Sequence, residues 1–469
     1  MRPAVRYVLL TLLAFASGCT AVGEIRTTYE STQRMDLQTD IDLMSWCSRG
    51  QGHSSAGTEL SNSIEDYGSH IIGYVEFSDQ GWEYNSGKQR RILLQRMRDD
   101  LAKNARPDTI HINIVFVHGW HHSARGDDCN VNEFRAMIHR VHHDLNLAAK
   151  NSGTDINYRV NGIYAGWRGE SLEIPFLRQL TITERQATSE RVAKGAIREL
   201  FADLRNLQFT DEGFKIGDQS SSRIRTIIVG HSLGALIAFH SLSPGLINDL
   251  SLSKPLGVWN SSEAYICGKA AAARSFWPDF TILINPAFEA SRFEAVHNVA
   301  SESIRCKDER PRPKLVVVTS DNDAATGTFF PLLRAVGTVF EKYDNTSQTA
   351  ETMEREANLH AVGFVQRYQT HRLDLESVGD KYCVRTMPLQ PAGNANAKNP
   401  ADHVWVVGVP KEIVFGHDGF LYPDPKTGHY EPYLLNWLVS VYLDGTPRRP
   451  PFQGVANAYR AHRCVAKTS

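Results

Sequence analysis

Along this chain, short runs of β-branched and aromatic residues alternate with stretches whose apolar residues recur every three or four positions. His70–Phe77 (H-I-I-G-Y-V-E-F), Ile110–Val117 (I-H-I-N-I-V-F-V), Tyr158–Trp167, Ile224–Val229, Phe280–Ile284, Lys314–Thr319 and Val404–Val409 have the length and composition of buried strands. Ile413–Phe415 adds a short apolar partner to the last of these. Between them, Ile92, Leu93, Met97 and Leu101 mark Gln89–Leu101 as helical. A second helix carries Phe134, Met137, Ile138, Val141 and Leu145, with Asn130 and Glu133 placed for a capping box. A long helix over Glu184–Leu207 has Thr183 and Gln186 at the same capping spacing, and Tyr433–Tyr442 predicts a C-terminal helix. Ser243–Ser275 is turn-rich, and Ala324–Asp402 is long, polar and irregular, with Gly, Asn and Pro crowded near Pro388–Pro400. Strands alternating with helices predict an α/β fold, a mostly parallel sheet covered by helices on both faces.

Composition changes this picture little. The chain has 469 residues, 42% of them hydrophobic and 22% charged, as in ordinary globular proteins. A formal net charge of −1 and no basic stripe argue against a nucleic-acid partner. Mean hydropathy of −0.33 argues against a multispanning membrane protein.

The first residues read differently. Arg2 and Arg6 precede an apolar run, Tyr7–Phe15, and then Ala16-Ser17-Gly18-Cys19. The run is too short to cross a bilayer comfortably and has the flanks of a signal peptide. Small residues leading into Cys19 resemble a bacterial lipobox, with Ala16 where that box usually has Leu. Residues 1–18 are then a lipoprotein-type signal peptide and Cys19 the lipidated N-terminus. That places the protein in the bacterial cell envelope, on the periplasmic side or at the outer membrane, held to the membrane by a lipid. An ordinary secretory signal cut near Ala16–Gly18 is the alternative, and it leaves the protein secreted. Of seven cysteines, the six beyond Cys19 (Cys47, Cys129, Cys267, Cys306, Cys383 and Cys464) suit three disulfides in an oxidising compartment. They lack C-x-x-C spacing, which argues against zinc or thioredoxin-like chemistry. The chain divides into a tether and irregular cover (19–68), an α/β domain (69–445) with an insertion or lid at 324–402, and a tail (446–469).

The chemistry gathers at Ile224–Ala238, I-R-T-I-I-V-G-H-S-L-G-A-L-I-A. A G-x-S-x-G pentapeptide between a strand and a helix puts its serine on a sharp turn at a helix N-terminus, where backbone N–H groups and the helix dipole favour developing negative charge. A serine needs a base to take its proton, and that base needs an acid to hold its tautomer. In a parallel sheet such residues sit beyond the carboxyl ends of the strands. Ser232 follows one strand, Asp321 and Asp323 another, and His417 the last apolar pair. Ser, Asp, His is the order found in α/β-hydrolases. His403 precedes its strand, at the wrong end of the sheet, and His429 lies in a Pro-Asp-Pro-Lys-Thr-Gly loop.

On Val117-His118-Gly119-Trp120, Tyr164–Gly169, Gly230–Gly234, Asp323 and Gly416-His417-Asp418, the chain resembles α/β-hydrolase fold serine hydrolases, including bacterial lipoprotein-type ones, over roughly His70–Tyr442. The resemblance implies serine-dependent hydrolysis of an ester or amide, esterase- or lipase-like, on a small-molecule or lipid ester, with no cofactor. It implies Ser232 as nucleophile, His417 as base and Asp323 as acid, since that family places its aspartate a few residues beyond the strand. Asp321 stays the alternative. The N–H groups of Leu233 and Trp120 are then the oxyanion donors. An acyltransferase using the same residues, or a silent lipid-anchored envelope scaffold, are the competing readings.

Other residues have plainer readings. His118, His121 and His122 lie near Asp127 and Asp128, and His139, His142 and His143 adjoin Asp144, but neither group has an H-E-x-x-H pattern or a distant carboxylate at metal spacing. No metal is expected there. His231 reads as a packing residue, and Arg168 as a pocket-mouth or ion-pair residue.

Overall fold

The computed structural model describes residues 23–29, 61–104, 106, 108–169, 182–210, 215–216, 219–220, 223–254, 277–303, 313–344, 346–389, 403–420, 433–444, 450–460 and 463–466. In chain order the first half contains β1 (Ile64–Asp66), β2 (Ile71–Phe77), α1 (Lys88–Lys103), β3 (Thr109–Val117), α2 (Cys129–Asn151), β4 (Asn157–Trp167), α3 (Ile182–Lys194) and α4 (Ile197–Thr210). A small ribbon, β5 (Lys215–Ile216) with β6 (Gln219–Ser220), precedes β7 (Ile224–His231) and α5 (Leu233–Leu252). Then come β8 (Phe280–Ile284), α6 (Glu294–Glu302), β9 (Leu315–Ser320), α7 (Phe330–Gly337) and α8 (Gln348–Leu359). The chain closes with β10 (His371–Val378), β11 (Lys381–Pro388), β12 (Val404–Val409), α9 (Tyr433–Asp444), α10 (Pro450–Arg460) and β13 (Cys464–Ala466).

The main sheet has 11 strands in the order β1-β2-β4-β3-β7-β8-β9-β12-β10-β11-β13. From β2 to β10 every neighbouring pair is parallel, and only the two margins are antiparallel. This is the α/β architecture that the alternation of apolar runs predicts. Because successive side chains point to opposite faces, Ile112, Ile114, Ile227 and Val229 pack under α2, α9 and α10. Val115, Val117, Ile224 and Ile228 pack under α1, α4, α5 and α6 on the other face. Both faces are dry, which explains why these strands are apolar throughout rather than alternating.

Several expectations are corrected. Asp128, not Asn130, caps α2, its side chain accepting the N–H of Asn130. The long helix over 184–207 is two helices, broken where Gly195 N–H returns to Val192 and Ala196 N–H leaves to the carbonyl of Gly81. The turn-rich stretch from Ser243 begins inside α5, which runs on through Pro244 to Leu252. The irregular stretch from Ala324 holds α7, α8 and the β10–β11 hairpin, which extends the sheet. Ile413–Phe415 is a turn carrying one bridge, Phe415 to Gly419, rather than a strand. The stretch 446–469 supplies α10 and an edge strand, bonded to β11 through the Cys383–Cys464 disulfide. In the stretch read as a tether, residues 23–29 lie on the domain, where buried Arg26 meets Glu65 at 3.0 Å and lies over Tyr74. The signal segment, Cys19 and His429 lie outside the described residues. Among the described residues no helix is long and apolar enough to cross a membrane.

Candidate active site

The turn after β7 holds Ser232 in a strained backbone conformation, with the residue 5% exposed. Ser232 has φ 54° and ψ −120°, a backbone region that costs a non-glycine residue roughly 1–3 kcal/mol. The surroundings hold it there: Ser232 N–H donates to Ile284 O at 3.0 Å, and its carbonyl accepts from Ala287 N–H at 3.2 Å. Leu233 opens α5, so its N–H has no acceptor within the helix. Glycine is needed at Gly234, where a Cβ would lie 2.1 Å from the carbonyl oxygen of Val117. The fit is also close at Gly119, where a Cβ would come to 3.0 Å from both Ser232 Cβ and His231 Nδ1. The Gly119–Trp120 peptide therefore runs alongside Ser232.

Three side chains from distant parts of the chain converge. Ser232 Oγ lies 2.8 Å from His417 Nε2, and His417 Nδ1 lies 2.9 Å from Asp323 Oδ2. Asp323 is fully buried as a side chain, whereas His417 keeps 20% of its side-chain surface. Asp321 turns away to the sheet margin and pairs with Arg372. The Asp323 carboxylate also accepts the N–H groups of Ala325 and Thr326 and the Thr326 hydroxyl. Burial alone would raise the pKa of Asp323; the bonds and charge of His417, with the Thr326 bonds, outweigh it and hold the carboxyl below its ordinary value. Burial alone would lower the pKa of His417, and the bond to Asp323 with that carboxylate's charge raises it above the ordinary value instead.

The His417 loop is anchored by residues to which the sequence reading gave no role. Asn285, at the end of β8 with φ 43°, donates to the carbonyls of His417 at 2.7 Å and Gly416 at 3.1 Å. Its own oxygen accepts the N–H of Ser320 at 2.9 Å, tying the loop to β9. Asn322 accepts the N–H of Gly416 at 2.9 Å and the Ser320 hydroxyl at 2.7 Å. Asn285 and Asn322 sit at strand ends, the signal used to find Ser232 and His417, but asparagine is common at such turns. His231 is fully buried, which drives its imidazole well below its ordinary pKa. Kept neutral, it donates Nε2–H to the carbonyl of His417 at 3.0 Å. It is thus a packing residue and a brace at once.

Other histidines among the described residues are engaged elsewhere. His118, neutral because burial pushes its pKa down to about 4, donates Nδ1–H to the carbonyl of Gly119 and accepts the Trp167 N–H on Nε2. His122 meets Asp128 at 3.0 Å, and His139 meets His70 at 2.6 Å. His403 is buried at the start of β12. Arg168 lies 3.6 Å from Asp79, an ion-pair position. Among the described residues, the ligand atoms that converge closely enough for a metal ion are those of His231, His417 and Asp418, within this same site.

No family model and no curated protein matches this chain. Among solved structures it is similar to the phospholipase PlaB from Legionella pneumophila in complex with thio-NAD, at 12% identity and a TM-score of 0.28 over 74% of this chain and 61% of that one. It is also similar to an uncharacterised protein from Pseudomonas aeruginosa, at 10% identity and a TM-score of 0.22 over 83% of this chain and 56% of that one. The chain thus spans less than two thirds of the length of either.

Proposed function

We propose that this protein is a serine hydrolase that cleaves a carboxylic ester, esterase- or lipase-like, through an acyl-enzyme on Ser232. The observation that carries the reading is the unbroken relay from Ser232 Oγ to His417 Nε2 at 2.8 Å and from His417 Nδ1 to Asp323 at 2.9 Å. His417 takes the serine proton as Oγ attacks the acyl carbon, then returns it to the departing alcohol. Asp323 holds the Nδ1–H tautomer and stabilises the imidazolium that forms. The amides of Leu233 and Trp120 receive the oxyanion. Water, deprotonated by His417, then releases the acid and regenerates Ser232. The order of Arg2, Arg6, the apolar run and Cys19 supports action from the cell envelope, with a lipid on Cys19 as the tether.

A fluorophosphonate probe tests the reading. Wild-type protein is expected to label, and Ser232→Ala to lose all labelling with its fold unchanged by circular dichroism. Folded wild type that stays unlabelled makes this fold a silent scaffold. Turnover of p-nitrophenyl esters with and without an added alcohol then separates a hydrolase from an acyltransferase by how the acyl-enzyme partitions: a transferase sends most product to the new ester even when water is in large excess, and a hydrolase sends most to the free acid.

A further inference from the structure

Immediately after Asp323 the chain presents apolar residues to solvent. Phe329, Leu332, Leu333, Val336, Val339 and Phe340, on and just beyond α7, are all exposed, Val336 at 78% and Phe340 at 95%. Soluble surfaces scatter such residues singly; a contiguous run marks an interaction site. Its mount is rigid. The turn that leads into it is closed by Gly327 N–H on the carbonyl of Asp323. The one charged residue of the run, Arg334, points back into the protein, to Glu289 at 2.8 Å and to Asn358 at 2.8 Å.

We propose that this face docks the protein onto a lipid surface of zwitterionic or neutral headgroups, beside the site of ester cleavage. Three features favour that occupant. The side chains stand out from the surface instead of lining a hollow, which suits insertion into an acyl boundary better than a complementary protein partner. The face follows directly in the chain on the loop that carries Asp323, which ties its position to that of the site. Its border holds exposed Glu341, Asp344, Glu351 and Glu354 against exposed Lys342 and Arg355, a rim that is acidic on balance, so anionic headgroups gain no net attraction there. The benefit of such docking to catalysis rests on the hydrolase reading; the docking itself does not.

The test therefore reads binding without turnover. The mature chain from Thr20 on, which has neither the apolar signal segment nor an acyl tether, and which carries Ser232→Ala, is floated with phosphatidylcholine vesicles in parallel with the same protein carrying Val336→Ser and Phe340→Ser. Both serines replace solvent-exposed side chains, so the fold is retained. The expected result is vesicle binding that added salt leaves unchanged and that the two serines weaken about tenfold or more. Equal binding by both proteins, no binding by either, or binding abolished by salt overturns the proposal. A parent protein that sediments as a dimer and becomes a monomer with the two serines also overturns it, in favour of a second copy on this face.

Discussion

The rate of a serine hydrolase depends on the imidazole being neutral before attack and comfortable as a cation after it. At His417 these demands meet in one hydrogen bond, because Asp323 raises the affinity of the ring for a proton that burial would otherwise strip away. The acid limb of kcat/KM reports this group in the free enzyme, so it is expected above the ordinary histidine value of about 6.5. In Asp323→Asn the raising partner is gone and burial remains, so the limb moves to lower pH while kcat falls by roughly 10⁴. A pH–rate profile of both proteins on one soluble ester checks this; a limb that stays in place removes Asp323 from its role. The convergence of Ser232, His417 and Asp323 was legible in the sequence because Ser232 sits in a G-x-S-x-G turn between strand and helix, and Asp323 and His417 follow later strands in the Ser, Asp, His order. The bracing was not. Thr326, Asn322 and Asn285 belong to residue types that turns use everywhere, and only the folded backbone shows what they hold.

The loop after β12 takes its shape from neighbouring strand ends more than from its own sequence. Asn285 gives both its amide hydrogens to carbonyls of that loop and its oxygen to Ser320. Asn285→Ala leaves the buried Ser320 N–H without this acceptor, and alanine tolerates a φ of 43° poorly. It is expected to cost about 1–3 kcal/mol in a denaturant titration and to lower kcat with little change in KM, since His417 rather than substrate binding is disturbed. Unchanged kcat would make Asn285 a purely structural residue. Element by element, the central strands were legible because both of their faces are dry, giving unbroken apolar runs. The β10–β11 hairpin was missed because its outer end is largely exposed and polar. The run of α5 past Pro244 was hidden by the helix-breaking reputation of proline, and the break between α3 and α4 by a helical pattern that continues on both sides of it.

At the scale of the whole molecule, the sheet ends in a margin that comes from far along the chain. β13 lies against β11, and Cys383 and Cys464 bond across that pair, 81 residues apart in sequence. Closing so long a loop restricts the unfolded chain, and its removal is expected to cost roughly 2–4 kcal/mol. Cys383→Ala with Cys464→Ala should show that loss in an equilibrium denaturation, with activity on soluble esters retained, because the bond lies at the sheet margin and Ser232 at its centre. No change in stability would mean that pairing of β11 with β13 alone holds the margin.

The triad also sets a time. Ser232 is separated from its base by 185 residues, and Asp323 from it by 94. A ribosome has therefore delivered Ser232, Asp323 and most of the parallel sheet well before β12 and His417 emerge. Until β12 docks on β9 and the loop beyond it is pinned by Asn285, Ser232 has no partner to take its proton.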